Sequence, residues 1–150
     1  MKKSLLIVAL LSMIGVASAV EVGVNGGYTW GGPNRDVVGL SVGQQFGKVG
    51  VAATFDRASA TKNDQNRWGL VGSYDVLTVA GVTVAPKLGV AWLDNQHGAD
   101  GWAASVGVGA SYPVTKSVAL TADYRYQEDI QKKVKQFNGN TLTAGVKVRF

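Results

Sequence analysis

The sequence contains no cysteine, so disulfide frameworks, thiolate zinc sites and cysteine nucleophiles are excluded at once. Three prolines in 150 residues rule out a collagen-like or proline-rich disordered chain. A single histidine, His97, leaves little room for imidazole chemistry. Charge is sparse as well: fifteen basic residues against ten acidic ones give +5, and +3 once Lys2 and Lys3, which fall in an expected leader, are set aside. So small an excess argues against nucleic acid as a partner. From Val20 onward no window carries an apolar repeat of 3.6 residues, which argues against amphipathic helices. What is abundant is glycine, with 20 residues, 19 of them after Gly15, roughly twice the usual frequency.

Residues 1–19 combine a basic start (Lys2, Lys3), an apolar run over residues 5–17 and small residues at Ala17 and Ala19. This three-part pattern reads as a secretory signal peptide with its cut between Ala19 and Val20, leaving residues 20–150 as one exported domain. The apolar run is shorter than the ~20 residues a helical membrane span needs.

The exported part alternates with period two, the mark of half-buried strands. Eight alternating segments follow one another. Their apolar faces begin with Val20, Val22, Val24, Tyr28 and Trp30, then Val38, Leu40, Val42 and Phe46, then Val49, Val51, Ala53 and Phe55 across a tight Gly47-Lys48 turn. Trp68 to Val76, Val82 to Trp92, Trp102 to Tyr112, Val118 to Tyr126 and Leu142 to Phe150 continue the series at every second residue. An even number of strands fits a closed antiparallel up-and-down β-barrel.

Alternation alone suits a soluble barrel with its apolar face inward as well as a membrane barrel with that face outward. Residue size separates them. The apolar faces carry large side chains with Trp, Tyr and Phe toward the strand ends, whereas the polar faces mix Gly, Ala, Ser and Thr with a few charges. A narrow eight-stranded bore is filled by its own side chains, so small and charged residues belong inside it. Segments of about ten residues tilted near 40° span roughly 25 Å, the apolar height of a transmembrane barrel. The connections agree: residues 31–36, 58–66, 93–101 and 127–139 are polar and longer, while 47–48, 75–81 and 113–117 tend to be shorter. Short turns belong to the periplasmic side, where both termini are expected.

Two stretches carry a family resemblance. The run ADYRYQ, residues 122–127, is similar to the penultimate strand of the small outer-membrane β-barrel proteins, the group that includes the OmpA membrane domain, OmpX and the opacity-type proteins. The final run TLTAGVKVRF resembles the signal read by the outer-membrane assembly machinery, carried here by Val146, Val148 and the terminal aromatic Phe150. The resemblance implies an eight-stranded transmembrane barrel in the outer membrane of a Gram-negative bacterium. It also implies a structural, adhesin-like or otherwise surface-interacting role, without fixing one. As the chain ends at Phe150, wall tethering through an appended peptidoglycan-binding domain is not expected.

Parity directs Glu21, Asp56 and Asp123 into the bore together with Arg67, Lys87, Arg125, Lys147 and Arg149. Buried charges need partners, so these eight are expected to form a plug of ion pairs, with a gated ion path as the functional alternative. Asp123 and Arg125 are neighbours on one face, so each is free to pair with another strand, and the surplus bases are expected near the mouths. Asp94, His97 and Asp100 share one loop, but their spacing fails the EF-hand pattern and one histidine is a thin basis for zinc. No cofactor or metal is expected. A lipid A-modifying enzyme is disfavoured because Ser105, the nearest serine to His97, points into the bore by parity. Lys132, Lys133 and Lys135 in the fourth long loop are candidates for contact with lipopolysaccharide phosphates or an external ligand. The expected protein is a monomer whose partners are outer-membrane lipid, lipopolysaccharide and the assembly machinery.

A closed barrel resists detergent until heated. The outer-membrane fraction run unheated and boiled should therefore show two mobilities for this protein; one unshifted band would mean that the sheet does not close.

Overall fold

A computed structural model describes residues 19–31, 34–60, 64–95, 100–130 and 139–150. Among them are nine strand segments: β1 (Val20–Trp30), β2 (Arg35–Phe46), β3 (Val49–Ser59), β4 (Gln65–Tyr74), β5 (Leu77–Val79), β6 (Val82–Asn95), β7 (Gly101–Pro113), β8 (Val118–Asp129) and β9 (Gly139–Arg149). All pairings are antiparallel, in the order β4-β3-β2-β1-β9-β8-β7-β6-β5, and a further β4–β6 pairing closes the ring. β5 is the continuation of β4 beyond a bulge. Ser73 faces Lys87 and Leu77 faces Val84, so β4 holds one more residue than its partner between those two points. Eight staves therefore make the barrel. The bulge frees Asp75, whose N–H donates to the Lys48 carbonyl (2.8 Å) and whose carboxylate accepts from Gln45 Nε2 (3.1 Å).

Tight connections and both termini gather at one end, termed here the turn end. Gly47 (φ +61°) turns β2 into β3, and Ala80 and Gly81 (φ +52° and +82°) turn β5 into β6, as the twist of a two-residue hairpin demands. The polar connections lie at the opposite loop end.

The apolar faces point outward. Val38 is 62% exposed and Leu88 68%, while the residues between them on each strand are buried or half-buried. Such a surface is stable only against lipid, because a monomer in water does not expose apolar area on this scale. Aromatic residues ring both ends of this band. Toward the loop end Phe55, Trp68, Trp92 and Trp102 are successive partners across four strands, with Phe55–Trp68 centroids 4.3 Å apart and Trp92–Trp102 5.3 Å. Phe46, Tyr74 and Tyr112 stand exposed at the turn end.

The ladder runs further toward the loop end than hydrophobic alternation indicates. Strand pairing covers Arg35 and Asp36, Ala58 and Ser59, Gln65 and Asn66, Leu93 to Asn95, and Gln127 to Asp129, all of which read as loop in the sequence. Beyond the lipid band the outer face no longer needs to be apolar, so alternation fades while backbone pairing continues. Inside, glycine makes room where strands crowd. A Cβ on Gly107 would collide with the Tyr124 carbonyl oxygen and lie 3.0 Å from the Arg125 Cα, neither of which can yield.

Gly107→Ala should therefore lower the urea midpoint by an amount equivalent to about 1–3 kcal/mol. Gly72→Ala, whose added methyl meets nothing nearer than the Leu88 carbonyl at 3.9 Å, should leave it unchanged.

Candidate functional site in the barrel lumen

The eight inward charges are placed by strand parity, and they meet in three tiers. At the turn end Glu21 of β1 accepts from Lys147 Nζ at 2.9 Å and from Arg149 Nη2 at 2.5 Å and Nε at 3.0 Å, both on β9. These two bases remain partly exposed at the mouth. Higher up, Lys87 of β6 reaches across to Asp123 of β8. In the third tier Asp56 of β3 receives Arg125 Nη2 of β8 at 2.9 Å, with Nη2 of the neighbouring Arg67 of β4 at 3.8 Å. Arg67 Nη1 in turn donates to Gln127 Oε1 at 3.2 Å. Asp56 and Arg67 are almost fully buried, and in this tier two guanidinium groups share one carboxylate.

The network has members that hydrophobic alternation did not reveal. Arg35, Gln65, Gln127 and Asp129 are buried inward-facing residues at the loop end, and Gln65 Nε2 donates to Asn95 Oδ1 at 3.1 Å. Each lies two or four residues beyond a residue already on the inner face, so carrying the same parity past the apolar band would have found them. Leu93, read as the start of a loop, instead packs inside the barrel opposite Arg67, fully buried against Ala103. Val37 and its partner Ala58 are buried likewise. An apolar layer thus adjoins the third tier on its loop side.

A polar cavity of about 350 Å³ occupies the turn half of the bore. Serine and threonine hydroxyls line it, with Lys87, Asp123, Asp56 and Arg125 at its inner end and Lys116 and Ser117 of the β7–β8 turn at its rim.

The remaining candidates lie elsewhere. Val146 faces outward on β9, and Phe150 is 79% exposed at the turn end, where its N–H donates to the Val20 carbonyl at 2.9 Å. Asp94 ends the outer face of β6, and the Asp100 carboxylate accepts from the Asn95 N–H at 3.2 Å, closing the β6–β7 connection. His97, Lys132, Lys133 and Lys135 lie outside the described residues. On the outer rim Arg57 pairs with Asp64 at 2.7 Å, and this hydrogen bond holds the Asp64 carboxyl below the usual carboxylate range.

Asp56→Asn removes the one carboxylate between Arg67 and Arg125 and should destabilise the barrel by about 3–5 kcal/mol, the cost of leaving a buried charge unpaired. Asp64→Asn, at the exposed rim pair, should leave the denaturation midpoint unchanged.

The barrel fold is shared with known proteins. The N-terminal β-barrel domain of Pseudomonas aeruginosa OprF superposes with a TM-score of 0.73 at 20% identity, covering 89% of this chain and 98% of that one. Neisserial surface protein A gives 0.67 at 22% identity, with 88% and 96% covered. The outer membrane enzyme PagL gives 0.60 at 9% identity, with 85% and 98% covered. At these identities the likeness is one of fold. A search of curated proteins finds no sequence match. The model of the outer membrane protein beta-barrel domain matches residues 7–150, so the chain belongs to that family and resides in the outer membrane of a Gram-negative bacterium.

Proposed function

We propose that this protein is a non-conducting, non-enzymatic barrel that acts at the cell surface, through the connections at its loop end, on lipopolysaccharide or an external ligand. The observation that supports this reading best is the filled bore: Asp56, Arg67, Leu93 and Val37 are all buried in its loop half. The cavity in the turn half is consequently a blind vestibule. With the interior closed, the surfaces left to meet a partner are the loop end and the lipid-facing wall. In this reading the turn end and both termini face the periplasm, and the leader is cut at Ala19. The strand ending in Val146, Val148 and Phe150 serves the assembly machinery.

The likeness to an outer membrane enzyme supports no catalytic reading. Ser105 lines the vestibule, and a serine there is shielded from the lipid an envelope hydrolase would attack. A narrow channel is the second reading, which the vestibule favours, since it already opens the turn half of the bore.

Folded protein in a planar bilayer should give no steady conductance; an open current altered by Arg125 or Lys87 replacement would establish the channel instead. Alanine at Lys132, Lys133 and Lys135 together should weaken lipopolysaccharide binding about a hundredfold at low salt, at about 1 kcal/mol per lysine near an anionic surface, with the heat-dependent gel shift unchanged. Unaltered binding would remove the loop from the contact.

A further inference from the structure

We infer that Glu21, Asn25 and Thr29 form a register key that selects how the first and last strands of this barrel join. Seven of the eight junctions are made by strands adjacent in the chain, whose turns hold them in register. The β1–β9 junction has no turn. Its partners are separated by almost the whole domain, so closure there bears the largest loop entropy and receives no local guidance. Hydrophobic patterning narrows the choice without completing it. A slip of one residue would turn the apolar face inward, but a slip of two keeps every face correct. Another constraint must reject that alternative.

The inward residues of the junction supply it. From the turn end upward the facing pairs are Glu21–Arg149, Gly23–Lys147, Asn25–Gly145, Gly27–Thr143 and Thr29–Thr141. Between the end pairs each larger residue faces a glycine, and the ends are locked by chemistry. Glu21 holds Arg149 directly and Lys147 diagonally, and at the other end the Thr29 and Thr141 hydroxyls share a hydrogen bond at 2.9 Å. Gly27 and Gly145 are obligatory in this register: a Cβ on Gly27 would meet the Leu142 carbonyl, and one on Gly145 would meet the Val24 carbonyl and lie 2.8 Å from the Asn25 Cβ. A two-residue slip one way sets Asn25 against Thr143 and Gly23 against Gly145; Glu21 then faces Lys147 and keeps both bases, so the packing and the threonine pair are what reject this slip. The other way sets Asn25 against Lys147, Gly27 against Gly145, and leaves Glu21 beyond the last residue. Both spoil the fit and separate Thr29 from Thr141.

The other charged contacts of the bore do not serve this purpose. Lys87–Asp123 joins β6 to β8 and Asp56–Arg125 joins β3 to β8, and no member lies on β1 or β9. Glu21 is therefore a positioning residue for closure, distinct from the plug.

The absence of cysteine makes the register directly readable. Val24 and Val146 are facing partners on the lipid side, so cysteines at these two positions cross-link in the native register. Val24 with Ala144, or Val24 with Val148, reports the two slipped ones. On refolding the full domain into phospholipid vesicles, the unsubstituted junction should give the Val24–Val146 link. Glu21→Gln should lower the ratio of native links to the slipped Val24–Val148 link by about fivefold, as expected when two partly exposed bases at the mouth lose their shared carboxylate. The charge-reversed set Glu21→Lys, Lys147→Glu and Arg149→Glu should restore it. Lys87→Met with Asp123→Asn, which removes a pair elsewhere in the bore, should not alter the ratio. A Glu21→Gln junction that closes wholly in the native register, a slip equal in the Lys87/Asp123 control, or a reversed set that fails to recover the native link would each overturn the inference. If Glu21→Gln does not fold at all, the reversed set alone decides, because an electrostatic key works with either polarity.

Discussion

Every other property of this molecule follows from the need of its backbone N–H and C=O groups for partners in a solvent that offers none. In hydrocarbon an open sheet edge is prohibitively costly, so a chain with no helical periodicity has one solution, a ladder that returns on itself. The β4–β6 and β1–β9 pairings supply that return. Closure with eight staves then sets the bore, the bore sets which side chains fit inside, and alternation sends their neighbours into lipid. The bulge at Asp75 is the one interruption, and there the released backbone N–H finds the Lys48 carbonyl.

A narrow interior concentrates charge where water is scarce. Each tier answers this differently: Glu21 is shared between two bases beside the open mouth, Lys87 and Asp123 form a single pair, and Asp56 serves two guanidinium groups at the inner end of the cavity. Burial increases from the turn end toward Leu93, leaving a cavity at one end of the bore and packed side chains toward the other.

The barrel was legible in the sequence because its periodicity is a direct image of the two solvents. Trp68, Leu88 and Val146 announce lipid, and their neighbours Arg67, Lys87 and Lys147 the bore. What could not be read has physical causes. Alternation ends where the lipid ends, so Arg35, Gln65 and Asp129 passed as loop although the ladder holds them. Leu93, apolar on an inner face, broke the rule that the interior is polar, and its burial shows only once the bore is seen to be filled. Parity puts Asp123 and Arg125 on one face. That Asp123 meets a base on β6, just beyond β7, while Arg125 reaches across the bore to β3 depends on the stagger of the staves, which no single strand encodes.

Asp56 on β3 and Arg67 on β4 reach across the bore, and Lys87 on β6 reaches over Gly109 of β7; all three contacts end on β8, at Arg125, Gln127 and Asp123. The chain thus holds one half of each of these contacts until its penultimate strand arrives. A sheet halted at β7 would carry Lys87 on its concave face without Asp123, and Asp56 and Arg67 with only each other. Partly wound forms are consequently poor resting places, and the final hairpin completes the interior and the wall in one cooperative event.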